Sequence, residues 1–139
     1  MSGYRAVIDT NVLYAGLYSA RGASHRVLRL IEQRELVPLL STTLLFEYED
    51  VLRRDRKPLR LSERAVDDIL DGLCARGACH DIHFLWRPAL TDPKDDHILE
   101  LAVAGGGADI VTHNVRGFAG ASAFSVRAIT PAQLLGERR

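Results

Sequence analysis

The chain opens with an apolar run that stops at a carboxylate, Arg5-Ala6-Val7-Ile8-Asp9. Its apolar residues are consecutive rather than alternating, which is the pattern of a short strand covered on both faces. Ala23 to Glu35 predicts a helix with Val27, Leu28, Leu30 and Ile31 on one face. Leu36 to Leu40 is a second strand-like run. Ser41-Thr42-Thr43 then offers helix caps, and Leu44, Leu45, Tyr48, Val51 and Leu52 form the apolar stripe of the helix that follows. Pro58 marks a break. Ser62 caps another helix, whose inner face is Val66, Ile69, Leu70 and Leu73 and which Gly77 ends. A strand is expected over Ile82–Leu85 and a loop over Arg87–Thr91. Asp92-Pro93-Lys94-Asp95 has the form of a helix start, with a capping acid, proline at the first helical position and an acid three residues after the cap. That helix runs to the glycines at 105–107. Asp109–Thr112 reads as a strand and Phe124–Ile129 as the last one. Thr130-Pro131 caps a short helix through Leu135, with residues 136–139 frayed. Strands alternating with helices argue an α/β fold with a mainly parallel sheet covered on both sides. No repeat, linker or low-complexity segment interrupts the pattern, so residues 1–139 read as one domain.

The polar residues at the ends of these elements carry the candidate chemistry. At about 100° per residue, Glu47 falls at the margin of its helix's apolar stripe, beside Leu44 and Val51, while Asp50 points to solvent. On the same wheel Asp95 points along the centre of the next acidic helix's apolar face, Asp96 to one side and His97 away. In open α/β sheets ligands bind beyond the carboxyl ends of the strands. Asp9 and Asn114 directly follow strands, and the helix N-terminus carrying Asp92 and Asp95 opens on the same rim. Oxygen ligands of this kind suit Mg2+ or Mn2+ rather than zinc. Crowded carboxylates repel unless a cation neutralises them, and a divalent ion so held suits phosphodiester hydrolysis by water. Each residue also has a plainer reading: Asp9 as a turn or cap, Glu47 as a surface helix residue, Asp92 and Asp95 as a capping box. No activated serine or cysteine, P-loop or dinucleotide fingerprint stands out.

Composition narrows the class. The 139 residues are 47% hydrophobic and 26% charged, as in globular proteins, with eighteen basic and eighteen acidic residues that cancel. Arg53, Arg54, Arg56, Lys57, Arg60 and Arg64 nevertheless form a basic cluster, which could face RNA or a partner or be a solvated surface. No apolar run approaches the roughly 20 residues of a membrane span, and the first residues lack a secretory signal's apolar core, so a cytoplasmic location is expected. Cys74, Cys79, His80 and His83 total four potential zinc ligands, but their spacing matches no common zinc module, and they read as ordinary buried or half-buried residues.

These motifs, in this order, resemble the PIN domain family. Ile8-Asp9-Thr10-Asn11-Val12-Leu13 is similar to its opening. Ser41 through Leu52, with Glu47, resembles its second acidic segment, and Asp92-Pro93-Lys94-Asp95-Asp96 with Ile98-Leu99-Glu100-Leu101-Ala102 its third. Residues Gly107 to Thr112 followed by His113-Asn114 resemble its fourth strand and polar end. The resemblance runs to the branch of toxins in toxin–antitoxin systems related to VapC. It implies a three-layer α/β/α fold and a Mg2+- or Mn2+-dependent ribonuclease. Asp9, Glu47 and Asp95 would be the core acidic ligands and catalytic residues, Asp92 a supporting acid, and Thr10 and Asn11 would orient the first ligand, with Thr112 and Asn114 at the polar end. It also implies an RNA substrate, a homodimer and a cognate antitoxin whose tail blocks the cleft. Two positions depart from the family's pattern. Asn114 stands where an acid is frequent, and Gly117 where members with that asparagine often carry Asp. The site then has one carboxylate fewer, which opens the alternative of a weak or inactive module that binds RNA or a protein. A third class, phosphotransfer through an aspartyl nucleophile at Asp9, lacks the second acid two residues on, where Asn11 stands.

Overall fold

The computed structural model describes residues 3–82 and 90–138. Its centre is a five-stranded sheet in the order β3-β2-β1-β4-β5, with β1 (Tyr4–Ile8), β2 (Leu36–Leu40), β3 (Ala78–Cys79), β4 (Asp109–Val111) and β5 (Ala128–Ile129). Every pairing is parallel, and β1 is registered on one side as Tyr4↔Leu36 and on the other as Ile8↔Val111. The helices are α1 (Thr10–Tyr18), α2 (Ala23–Glu32), α3 (Thr42–Arg54), α4 (Arg56–Leu59), α5 (Glu63–Arg76), α6 (Asp96–Ala104) and α7 (Pro131–Glu137). The chain steps outward from β1 to β2 and β3, then returns to lay β4 and β5 on the far side of β1. Right-handed crossovers place connections of opposite direction on opposite faces of a sheet. Accordingly α2 and α5 lie against β2, while α6 lies over β1, β2 and β4 and meets the 3-10 segment Val115–Phe124.

The three-layer arrangement matches the sequence pattern. Ala6, Val7 and Ile8 are all buried, as consecutive apolar residues in a doubly covered strand should be. Ser41 and Ser62 cap α3 and α5 by accepting from the Leu44 and Ala65 backbone N–H groups. Gly77 ends α5, but for reasons of space. Its φ of −94° is open to any residue, whereas a Cβ there would meet Pro38 O at 2.7 Å and Leu73 O at 2.8 Å.

Several boundaries differ from expectation. The helix α1 is an addition that the pattern did not announce. The next helix, α2, stops at Glu32 rather than Glu35, because Arg34 takes a left-handed φ of 62° that turns the chain into β2. Phe124 closes the 3-10 segment instead of opening a strand, and β5 is confined to Ala128–Ile129. Residues 136 and 137 are helical rather than frayed, since Arg127 holds Glu137 at 2.7 Å and Arg138 holds Glu35 at 3.0 Å. Both cysteines are exposed rather than buried. Of the remaining expectations, residues 83–85 of the third strand, His83, residues 87–89 of the loop and Arg139 lie outside the described residues. Much of the basic cluster is neutralised: Arg53 bridges Glu49, Glu63 and Asp67 at 2.9, 2.7 and 2.6 Å, which ties α3 to α5. Lys57, Arg60 and Arg64 are the exposed remainder. Among the described residues no helix is long and apolar enough to cross a membrane.

Gly106 and Gly107 turn the chain from α6 into β4, both at φ 87°. A Cβ on Gly106 would touch nothing within 4 Å, so its substitution isolates backbone strain. Gly106→Ala should destabilise by about 1 kcal/mol. Gly136→Ala, inside α7 and also in open space, should stabilise by about 0.5 kcal/mol. Urea unfolding of the two variants checks the opposite signs.

Candidate metal centre

β1 and β4 are neighbours in the sheet but leave it toward opposite sides, which makes the crevice at their carboxyl ends the topological switch point. Asp9 sits there, only 7% exposed, between β1 and α1. Its backbone N–H donates to Val111 O at 2.9 Å, extending the β1–β4 pairing by one residue. Its carboxylate accepts from three places. The Thr10 backbone N–H donates to Oδ1 at 2.8 Å, and the Thr112 hydroxyl and Asn11 Nδ2 donate to Oδ2 at 2.8 and 3.3 Å. Thr112 is fully buried and also accepts from the Asn114 N–H at 2.9 Å. Burial pushes the Asp9 carboxyl above its usual range, against the lowering effect of the Thr112 and Thr10 bonds.

Glu47 arrives from α3, half-buried at the helix margin as the wheel predicted. The Thr10 hydroxyl donates to its Oε2, and His97 Nε2 donates to its Oε1 at 3.1 Å. The His97 bond is the main reason the Glu47 carboxyl lies below its usual range. Thr10 thus touches both acids, its backbone on Asp9 and its side chain on Glu47.

The third acidic segment differs from expectation in its facing. Pro93–Asp95 is a 3-10 turn, and α6 begins only at Asp96. A 3-10 turn advances about 120° per residue rather than 100°, so the wheel drawn through it rotates out of phase. Asp96 is therefore the buried acid, accepting from the Leu90 N–H at 3.1 Å. His97, expected to point away, reaches back to Glu47. Asp95 is half-buried rather than fully inward. Its carboxyl is pushed up to about 6, first by loss of solvent and then by the charges of Asp9, Asp92 and Glu47. Asp92 is exposed and caps the turn by accepting from the Lys94 N–H at 3.0 Å. Asn114 caps the following 3-10 segment through the Gly117 N–H at 3.3 Å. Asp92, Asp95, Asn114, Arg116 and Gly117 line one cleft of about 290 Å³ with Thr91.

The donor set fits a hard divalent cation. Each carboxylate offers about four lone-pair positions; those of Asp9 and Glu47 are only partly used, and that of Asp95 accepts no hydrogen bond from a described residue. Among the described residues, however, no three His, Cys, Asp or Glu side chains are gathered tightly enough to enclose an ion. Asp9, Glu47 and Asp95 share a neighbourhood rather than a ligation point. Cys74, Cys79 and His80 do not form such a group either. Two residues of the site were missed in the sequence. His97 was misplaced by the helical wheel, and Arg116 had only its position after the β4 end to mark it.

A family model described as PIN domain matches residues 5–116, most of the chain. The protein is a member of the PIN domain family. PIN domains are generally nucleases. The solved structure of PAE2754 from Pyrobaculum aerophilum is similar at TM-score 0.61 and 21% identity, over 99% of this chain and 90% of that one. The VapBC2 complex from Rickettsia felis, bound to a DNA fragment from their promoter, contains a chain similar at TM-score 0.58 and 14% identity, over 91% of this chain and 98% of that one. At such identities the likeness is one of fold. Comparison with curated proteins gives no match. The PIN fold accounts for the rim on which Asp9, Glu47 and Asp95 stand.

The electrostatics of this rim has a measurable sign. The folded-state pKa of Asp95, about 6, lies above the usual 3.8. Its contribution to stability is therefore present in full below the unfolded value and lost as pH rises through about 6. Asp95→Asn should stabilise the metal-free protein at pH 7.5 by about 1 kcal/mol after allowance for solvent screening, and the gain should vanish near pH 4. Thermal unfolding in EDTA across that range tests it.

Proposed function

We propose that this PIN domain is a Mg2+- or Mn2+-dependent endoribonuclease, the toxin of a type II toxin–antitoxin pair related to VapC. The observation that supports the reading is that Asp9, Glu47 and Asp95 share one neighbourhood at the crevice between β1 and β4, near enough that the charges of Asp9 and Glu47 raise the Asp95 carboxyl. In this reading Asp9, Glu47 and Asp95 hold the cation and are the catalytic acids, with Asp92 as a supporting acid at the rim. Thr10, Asn11 and Thr112 fix the Asp9 carboxylate, and Thr10 and His97 fix Glu47. Asn114 supports the cleft by capping the chain behind it. When bound, a divalent ion lowers the pKa of water and stabilises charge on a phosphoryl group. The half-exposed cleft beside Asp95 admits an extended phosphodiester strand, and Arg116 on its wall attracts the phosphate. The similarity to a chain of the Rickettsia VapBC2 complex supports a cognate antitoxin as partner. A homodimer, a cytoplasmic location and a single domain over residues 1–139 belong to the same reading.

A second reading, a weak or inactive PIN module that binds RNA or a partner, is favoured by one specific feature. Asn114 and Gly117 bring no charge, and a Cβ at 117 would meet Asn114 Nδ2 at 2.5 Å. The asparagine occupies the space from which an acid at 117 would start.

Cleavage of a mixed RNA pool with Mn2+ separates the readings. Asp9→Asn should lower the rate at least about a hundredfold, and Gly117→Asp should raise it once Asn114 swings aside. Equal rates for wild type and Asp9→Asn would remove the nuclease reading. RNA binding without cleavage, together with no heat of Mn2+ binding in calorimetry, would establish the second reading.

A further inference from the structure

Beside the acidic crevice, at the corner between α1 and α2, lies a pocket of about 380 Å³, within the roughly 300–1,000 Å³ range of small-ligand sites. One wall is Tyr14 and Tyr18, a stacked pair with ring centroids 6.3 Å apart and planes 13° from parallel. Tyr18 is 64% exposed, which is unusual for so large a ring. Asp55 stands beside the Tyr14 hydroxyl, so the inner ring is anchored at its polar end. The opposite edge carries Ser24 and His113, joined Oγ to Nε2 at 2.7 Å. Ser24 is buried and His113 exposed. The lining holds no Lys, Arg, Asp or Glu.

The pocket is linked to the site by hydrogen bonds through Asn11. The His113 backbone N–H donates to Asn11 Oδ1 at 3.2 Å, and Asn11 Nδ2 donates to Asp9 Oδ2 at 3.3 Å. A single side chain therefore links the pocket's edge to the central carboxylate. An uncharged, almost wholly apolar pocket with an open aromatic face does not suit a phosphate or a charged peptide side chain. It suits a flat heterocycle that stacks on one face and hydrogen-bonds along one edge. The Ser24 hydroxyl and the His113 ring are bonded to each other, and the donor or acceptor capacity this bond leaves unused is what the edge of a base would meet.

We propose that this pocket is a nucleobase subsite, in which one unpaired base of a single-stranded RNA stacks against Tyr18, backed by Tyr14, with its polar edge toward Ser24 and His113. The subsite rests on the ribonuclease reading. It holds a base next to the phosphate that the acidic crevice receives, and so selects unpaired RNA.

The test is fluorescence anisotropy of a labelled twelve-nucleotide RNA of mixed sequence, in EDTA so that cleavage does not interfere. Tyr18→Ala should weaken single-stranded binding about tenfold or more, while Tyr18→Phe should bind like wild type. A single abasic nucleotide placed along the strand should, at one position, cost wild type as much as Tyr18→Ala does and cost Tyr18→Ala nothing further. Affinity for an RNA duplex should not change. Unchanged single-strand affinity in Tyr18→Ala, or losses that simply add, would overturn the subsite and leave the ribonuclease reading standing, with a protein side chain as the pocket's occupant. An equal loss for duplex would overturn stacking as its basis. Failure of wild type to bind any RNA would overturn the subsite, whereas the ribonuclease reading falls only with the Mn2+ cleavage assay.

Discussion

The structure depends on keeping one carboxylate out of water. Asp9 is nearly buried at the end of the central strand, where an unpaired charge would cost several kcal/mol. It is tolerated because the residues around it are arranged to donate. Thr10 and Asn11 follow it in sequence, Thr112 comes from the neighbouring strand, and the first turn of α1 begins at its own carbonyl. The same groups organise the other acids. Thr10 reaches Glu47, Asn11 reaches the His113 backbone, and the Thr112 hydroxyl accepts from Asn114. Placing Asp9 therefore places the rim.

What could be read in the sequence followed from contrast. β1 and β2 were legible as short unbroken apolar runs, and α3 and α5 because their apolar positions recur with a helical period and Ser41 and Ser62 punctuate their starts. α1 was not legible, since Val12, Leu13, Tyr14, Ala15 and Leu17 surround its axis with little polar relief. β3 and β5 are two residues each, too short for any period to register. At the site, Asp9 and Glu47 were legible from strand end and helix margin. Asp95, Asp96 and His97 were not placed correctly, because a 3-10 start shifts the helical phase and no residue type announces that shift beforehand. The pocket walled by Tyr14 and Tyr18 was beyond reach for the same reason as α1.

Charge is used for two different purposes. At the edges it is paired: Arg53 joins α3 to α5, and Arg127 lies between Asp109 and Glu137, so that α7 is tied to the β4 edge. In the crevice it is left unbalanced, with Asp9, Asp92 and Glu47 raising the Asp95 carboxyl and with His97 and Arg116 beside them among the described residues. A neutral sum thus conceals a fold whose cations mainly fasten the periphery. Like charges crowded at a cleft mark a candidate functional site.

The strand order carries a consequence for synthesis. Thr112 donates to Asp9 across 103 positions of sequence, and β4 takes its place beside β1 only after β2 and β3 have left the other side. Contacts so distant along the chain form late, because the intervening loop must first be closed. A ribosome that has released the first hundred residues has therefore delivered every ligand candidate except the residue that locks the first of them. The acidic rim is therefore completed only once the chain around residue 112 has emerged, which puts its assembly among the last steps of folding.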